Sequence, residues 1–389
     1  MPPKVAIIHP RLIEGGGSEA GALWFLEALK DDYDAYLITM SRVDFKRLNE
    51  CYGTNISPKQ ITIIQIPIPY LLKKRFDALR NYRLTRFCKK IASHFDLMIS
   101  TYNIMDFGKK GIQCIADFSF DDRLRRAFDP TFKGLKGLFY KKSLFRWSYL
   151  KVGEILSGAS KNGWKRNLTI ANSDWTARIM REVFGVQTIT LYHPVHSEFP
   201  VFPWEKRENG FVILARLSPE KQIERIIDIV ERVRKRGFKI HLHILGRIGD
   251  SHYIMNLMRI CEKNRDWIFT EGLMTGHRKW EFLAQHKFGI SGRENEPFGI
   301  AVAELVKAGC IVWVPNGGGQ LEIVNQSMLI FDDSEDAVNK IELVLKNETF
   351  QISLREKLVQ QAKKFSAEEF VSKIKKLVPE FLNESQKSL

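Results

Sequence analysis

Glu296, Pro297, Phe298, Gly299 and Glu304 gather two carboxylates and a glycine turn within nine residues. Pro297 fits at or just before a first helical turn, where a missing N–H costs nothing. Gly299 lets backbone come close to a ligand, and the free N–H groups of Ile300 and its successors offer a natural anion site. Glu296 stands before the helix and Glu304 inside it, so two carboxylates flank a space of phosphate size. Carboxylates accept hydrogen bonds from sugar hydroxyls. Helix N–H groups for phosphate and carboxylates for polyols together suit a nucleotide sugar. By themselves, the same residues also describe an ordinary strand, turn and helix with surface acids.

A second pair of interest is Arg216 and Lys221, five residues apart. Arginine can grip two oxygens of a diphosphate while lysine acts as a point charge. A cation about 4 Å from a developing negative charge is worth roughly 4 kcal/mol at an effective dielectric near 20. The competing use is a surface ion pair with Glu220, worth under about 1 kcal/mol. A third feature is the loop Glu14–Glu19, where Gly16 and Gly17 would let backbone approach a diphosphate and Ser18 would cap the next helix.

The elements that must position these residues follow from hydrophobic pattern. Strands are expected at Lys4–His9, Ala35–Thr39, Ile61–Ile66, Asp96–Ser100, Gly111–Phe118 and Leu168–Ser173, with helices between them. A second series runs through Phe211–Ala215, His241–Gly246, Trp267–Leu273, Lys287–Ser291 and Cys310–Pro315. Helices are expected over Ala20–Leu29, Gln222–Arg236 and Gly299–Ala308, with Asn172 or Ser173 capping the helix after Leu168–Ser173. Alternation of this kind gives a mainly parallel α/β sheet. The pair His241-x-His243 lies on a strand with no third ligand near it in sequence, which is weak evidence for a metal.

Glu296-Pro297-Phe298-Gly299 with Glu304 resembles the signature of retaining glycosyltransferase family 4. Further matches occur in the same order, over most of residues 4–380 and most strongly over 211–330. Arg216 and Lys221 have the family's spacing, and Gly318, Gly319 and Glu322 approximate its later Gly-Gly and Glu arrangement. Asn172-Ser173 and Leu191–Val195, similar to its strand leaving the first domain, also match. Two departures are present: Asp117 stands where many members carry a histidine, and a glycine usual near Asn325–Met328 is absent.

The resemblance implies the GT-B fold, an α/β class with two Rossmann-like domains facing each other across a cleft. The domains implied are 1–195, a linker at 196–210, 211–365, and a C-terminal helix at 366–389 crossing back to the first. It implies transfer of a hexosyl group from a nucleoside-diphosphate sugar to a glycan or lipid-linked acceptor with retention. Glu296 would hold the sugar, Glu304 the ribose, Arg216 and Lys221 the diphosphate, and Gly16 and Gly17 the donor phosphates and acceptor. Asp117 would take the donor-sugar position at the strand end, and Thr270 and Leu273 would lie by the base. The leaving-group oxygen would take the acceptor proton, so neither a metal nor another cofactor is required. An epimerase, a nucleic-acid glucosyltransferase and a non-catalytic binding module remain the alternatives.

Composition frames these readings. A chain of 389 residues has room for two or three cores, and an apolar fraction of 44% with mean hydropathy -0.21 is that of an ordinary globular protein. No run approaches the eighteen or so apolar residues of a spanning helix. Five scattered cysteines without ligand or disulfide spacing point to a reducing compartment, hence a cytoplasmic expectation. Residues 1–200 hold 31 Lys and Arg against 19 Asp and Glu, and the rest hold 29 against 26. The excess gathers in Lys73–Lys90 and Lys133–Arg166, the latter interleaved with aromatics including Trp147 and Tyr149. That mixture suits the headgroup region of an anionic membrane. A nucleic-acid groove is its less favoured use.

Overall fold

The computed structural model describes residues 1–13, 15–68, 77–129, 131, 144–196 and 198–387. The chain divides into two compact units: the described residues of 1–127, 132–194 and 367–389 form the first, and 195–366 with 128–131 the second.

The first unit is built on strands β1 (Lys4–Ile8), β2 (Asp34–Thr39), β3 (Thr62–Gln65), β4 (Leu97–Ser100), β5 (Ile112–Ile115), β6 (Leu168–Ala171) and β7 (Thr188–Thr190). They form one parallel sheet in the order β3-β2-β1-β4-β5-β6-β7. Alternate side chains of β1 serve opposite faces: Val5 and Ile7 join one core, Ala6 and Ile8 another. A stretch buried on both faces must be apolar, as Val5–Ile8 is. The described helices here are α1 (Gly17–Leu29), α2 (Phe45–Tyr52), α3 (Asp77–Ile91), α4 (Asp122–Phe128), α5 (Leu144–Ser157) and α6 (Asp174–Phe184). Ser173 caps α6 by accepting from the Thr176 N–H, and Gly185 ends it at φ 64°.

The second unit carries β8 (Glu208–Leu214), β9 (His241–Leu245), β10 (Ile268–Gly272), β11 (His286–Ile290), β12 (Ile311–Pro315) and β13 (Ile330–Phe331), parallel in the order β10-β9-β8-β11-β12-β13. Its helices are α7 (Ile223–Lys235), α8 (His252–Lys263), α9 (Gly276–Ala284), α10 (Ile300–Lys307), α11 (Gln320–Val324), α12 (Ser334–Leu345) and α13 (Glu348–Ala362). The last helix, α14 (Ala367–Lys387), returns to the first unit, where Phe370 meets Phe25 of α1 edge to face at 5.3 Å.

Several local expectations change. Ser18 does not cap α1: the helix begins at Gly17 with Gly16 at the cap, which puts Ser18 inside the first turn, bonded to Glu19. Leu191–Val195 is not a strand, because the sheet edge is filled by Thr188–Thr190 just before it. The stretch 196–210 is not all linker: β8 starts at Glu208, where it pairs with His286. Of the basic stretches, Leu72–Phe76 and residues 133–143 lie outside the described residues.

Candidate functional site

In each sheet the strand order reverses direction between two neighbours, β1 and β4 in the first unit and β8 and β11 in the second. Open parallel sheets take ligands beyond the carboxyl ends of strands at that reversal. In the second unit, the segments leaving β8 and β11 hold Arg216, Lys221, Glu294, Glu296 and Gly299.

Glycines let these segments converge. A Cβ on Gly292 would lie 2.7 Å from the Lys221 carbonyl oxygen and 2.9 Å from that of Gln222. Lys221 ends a 3-10 turn (Pro219–Lys221), after which Gln222 takes a left-handed φ of 49° to start α7. From the other side, Gly318 pairs with Glu296 in an isolated parallel bridge, and the Gly319 N–H donates to the Glu296 carbonyl at 2.8 Å. The Gln320 side-chain amide donates to the Arg293 carbonyl at 2.8 Å. The segments after β8, β11 and β12 thus meet at one residue, Glu296.

Its carboxylate accepts from Lys221 Nζ at 2.7 Å and lies 3.4 Å from Arg293 Nη1. The Lys221 and Glu296 side chains are 18% and 17% exposed. Burial pushes the Glu296 carboxyl upward, but Lys221 and Arg293 outweigh it and hold the pKa at about 2. Burial also lowers the Lys221 ammonium, more than Glu296 raises it. Glu296 is therefore an ionised acceptor across the physiological range. A carboxyl held below its unfolded value adds stability above the unfolded pKa, about 4.5, and this is lost as pH falls toward 2. Glu296→Gln should accordingly flatten the fall in thermal midpoint between pH 4.5 and 2, and an unchanged profile would contradict this pairing.

Gly299 caps α10 at φ 101°, a conformation that glycine adopts without strain, and Ile300 follows as the first helical residue. The Phe298 ring is 3% exposed and packs on Phe365, so only its backbone can face a ligand. Glu304 accepts from Lys279 Nζ at 2.7 Å, with both side chains largely buried. The Arg216 side chain is 76% exposed and 3.7 Å from Glu220, the surface pairing weighed against the diphosphate role, while its charge still helps to lower the Glu296 carboxyl. Thr270 and Leu273 are exposed at the carboxyl end of the edge strand β10. Arg293 and Lys279 escape a reading by spacing. Arg293 sits one helical turn before Glu296 in a segment that is not helical, and Lys279 meets Glu304 only through tertiary packing.

In the first unit, Gly16 stands at the cap of α1 and Gly17 is its first residue. The Gly16 N–H donates to the Tyr52 hydroxyl at 2.9 Å, and the carboxylate of Glu19 occupies the space a Gly16 side chain would need. Glu19 is 8% exposed and accepts from the Ser18 hydroxyl at 2.8 Å. Asp117 Oδ1 accepts from Asn103 Nδ2 at 2.9 Å and from the Ser119 N–H at 2.8 Å, so it organises the turn after β5. It raises the pKa of Tyr102, to about 12 with burial added. Tyr102 meets His9 edge to face at 5.6 Å, and burial lowers the His9 imidazole to about 3. His9, Tyr102 and Asp117 thus stand at the carboxyl ends of β1, β4 and β5, beside the reversal of strand order.

Comparison with known proteins follows the same division. Residues 196–365 match the sequence model described as "Glycosyl transferases group 1". Two curated relatives share the description "GDP-Man:Man(3)GlcNAc(2)-PP-Dol alpha-1,2-mannosyltransferase". The one from Candida glabrata is 29% identical over 208 residues, 49% of this chain and 39% of the relative. The one from Dictyostelium discoideum is 22% identical over 262 residues, 61% of this chain and 50% of the relative. The chain thus spans half or less of the curated relatives it matches. Among solved structures, Anabaena HepE in complex with UDP and glucose superposes with a TM-score of 0.69 at 14% identity, covering 98% of this chain and 100% of that one. WaaG, a glycosyltransferase involved in lipopolysaccharide biosynthesis, gives 0.67 at 14%, covering 95% and 99%. The second unit carries the glycosyl transferases group 1 pattern over nearly its whole length, and the chain has the fold of the GT-B glycosyltransferases: two parallel-sheet, Rossmann-like units.

Proposed function

We propose that this chain is a retaining glycosyltransferase of the family 4 kind, moving a hexosyl group from a nucleoside-diphosphate sugar to a hydroxyl of a lipid-linked glycan. The observation that carries this reading is the Lys221–Glu296–Arg293 constellation beside the left-handed Gly299 turn. Lys221 and the N–H groups opening α10 would neutralise the departing diphosphate, with Arg216 free to swing from Glu220 onto the same charge. Glu296 would accept hydrogen bonds from the sugar hydroxyls. A carboxylate gripped by two cations is a poor base and a poor nucleophile. Retention is therefore assigned to a leaving-group oxygen that takes the acceptor proton on the departing face. Glu304, turned from Lys279, would receive the ribose hydroxyls. These cations and N–H groups offer the charge stabilisation that the step needs, so a metal is not part of the proposal.

The curated relatives' descriptions, which name GDP-Man and Man(3)GlcNAc(2)-PP-Dol, support the lipid-linked assignment; the UDP complexes of HepE leave the base to experiment. Incubation with a panel of nucleoside-diphosphate hexoses and a lipid-linked acceptor should consume one donor, with NMR showing the donor's anomeric configuration in the product. Binding of donors without consumption of any would overturn the enzymatic reading, and an inverted product would overturn retention.

The first unit supports a membrane-borne acceptor. Along α5, Leu144, Trp147, Val152 and Ile155 are exposed, Trp147 at 64% and Ile155 at 69%. Arg86 of α3 donates to the Leu156 carbonyl, and Lys90 adds charge beside the same patch. Among the described residues, no helix is long and apolar enough to cross a membrane. An exposed apolar helix face bordered by cations suits the boundary between headgroups and acyl chains of an anionic bilayer. Trp147→Glu with Ile155→Glu should weaken co-sedimentation with phosphatidylglycerol vesicles by about tenfold or more; wild-type binding that matches the double variant, or no binding at low salt, would remove membrane contact from the account.

A further inference from the structure

The His241-x-His243 pair acquires further donors in the fold. Glu208, His241 and His286 are the first residues of β8, β9 and β11, three adjacent strands, and His243 lies two residues along β9 on the same face as His241. Each of the four offers a ligand atom within 4.8 Å of the others. This edge is the amino-terminal one, opposite the carboxyl ends that bear Lys221 and Glu296.

We propose that Glu208, His241, His243 and His286 form a binding site for a transition-metal ion of the zinc class, joining the three strands at this edge. Three imidazoles and one carboxylate are a donor set suited to Zn2+ or Co2+. The second ring nitrogens support the assignment. His286 Nδ1 is 2.7 Å from the Phe282 carbonyl, and His243 Nδ1 is 2.7 Å from Glu271 Oε1. In metal sites the non-ligating nitrogen is typically held by a backbone carbonyl or a carboxylate, which presents the other nitrogen to the ion. Here both contacts leave Nε2 as the ligand.

The cluster also contains unmet polar atoms. His286 is 1% exposed, and neither its Nε2 nor that of His241 has a hydrogen-bond partner. Both nitrogens face Glu208 Oε2, at 3.7 and 3.3 Å. An ion would gather these nitrogen lone pairs and the Glu208 carboxylate at one point. Tetrahedral bonds of about 2.0–2.2 Å correspond to ligand separations near 3.4 Å, so the widest pair has to close by about an ångström and a half through side-chain rotation. Gly210 leaves room for this: a Cβ there would lie 2.8 Å from His286 Cδ2 and crowd His241 as well. A surface pocket of about 460 Å3, lined by Arg234, Lys239, His241, Asp266 and Phe269, opens a route from solvent to His241.

The test is direct titration of untagged, EDTA-stripped full chain with Zn2+ and with Co2+. One equivalent of Zn2+ per chain should bind and raise the thermal midpoint, and Co2+ should give the intense visible absorption of a tetrahedral ion. His241→Ala and His243→Ala, each checked for folding by circular dichroism, should abolish both signals. Glu271→Gln, which leaves all four ligands in place, should weaken Zn2+ about 10- to 100-fold. His277→Ala, on the surface, should change nothing. The proposal is overturned if the wild type binds well below one equivalent, or if the folded His241→Ala and His243→Ala variants bind as the wild type does.

Discussion

Lys221→Ala lowers turnover of the donor by about two orders of magnitude or more, with the fold retained but the thermal midpoint lowered by the loss of the Glu296 pairing. The expectation rests on where the charge goes. As the glycosidic bond breaks, the diphosphate gains negative charge, and a preorganised cation beside it is stronger in the transition state than in the ground state. Loss of one such group typically costs about 100- to 1000-fold in kcat. Lys221 is held for that task by the 3-10 turn, by Gly292 behind it and by Glu296 at 2.7 Å. Lys221→Arg should restore only part of the loss, since a planar guanidinium cannot reproduce a point charge in a space shaped for ammonium. Glu296→Ala should fall as far, because it removes the proposed sugar contact and leaves Lys221 and Arg293 unbalanced. Single-turnover release of nucleotide checks both, and rates within threefold of wild type would contradict the assignment.

Gly318→Ala is the second large effect, and it acts through backbone alone. Gly318 has φ 81°, and a Cβ there would fall inside contact distance of the Glu296 carbonyl and 2.6 Å from its nitrogen. Neither atom can swing away, since both belong to the backbone that pairs the two loops. The bridge must open, and Glu296 shifts with it. A displacement near 1 Å can cost about 100-fold in rate, and strained backbone adds roughly 1–3 kcal/mol of destabilisation. A measured loss of donor turnover of at least tenfold, with a lowered thermal midpoint, is the outcome expected. Gly319→Ala is the comparison: φ at the α11 cap is -71°, which alanine accepts, so the effect there should be far smaller.

The two variants also show which parts of the site can be read without coordinates. The sheets are legible because strands buried on both faces, such as Val5–Ile8 and Ile311–Val314, are apolar runs bounded by turns. Ser173 and Gly299 are legible because a cap needs a particular side chain or a particular φ. Lys221 and Glu296 can be chosen from the residues by the loops they occupy, although their 2.7 Å contact spans 75 positions. Other pairings depend on packing that no local pattern records. Lys279 reaches Glu304 from a different helix, and Arg293 reaches Glu296 only because the segment turns on itself. Arg216 is legible only in part: it has the expected spacing and its charge reaches Glu296, but β8 ends at Leu214 and the side chain is exposed beside Glu220. Gly16 is needed for a reason its spacing does not show, since the Glu19 carboxyl, three residues on, fills the space a side chain would take. Of the histidine cluster only His241 and His243 are legible as a pair, because Glu208 and His286 come from two other strands and become their neighbours only through the β9-β8-β11 order.

The central claim is that the second unit grips the donor's diphosphate through Lys221 and the turn at Gly299. Calorimetric titration of UDP and GDP into wild type, Lys221→Ala and Asp117→Asn tests it most directly. The account predicts that one nucleotide binds the wild type, weakens at least tenfold with Lys221→Ala, and is nearly unchanged with Asp117→Asn in the first unit. Equal affinity of wild type and Lys221→Ala for the nucleotide that binds would contradict it.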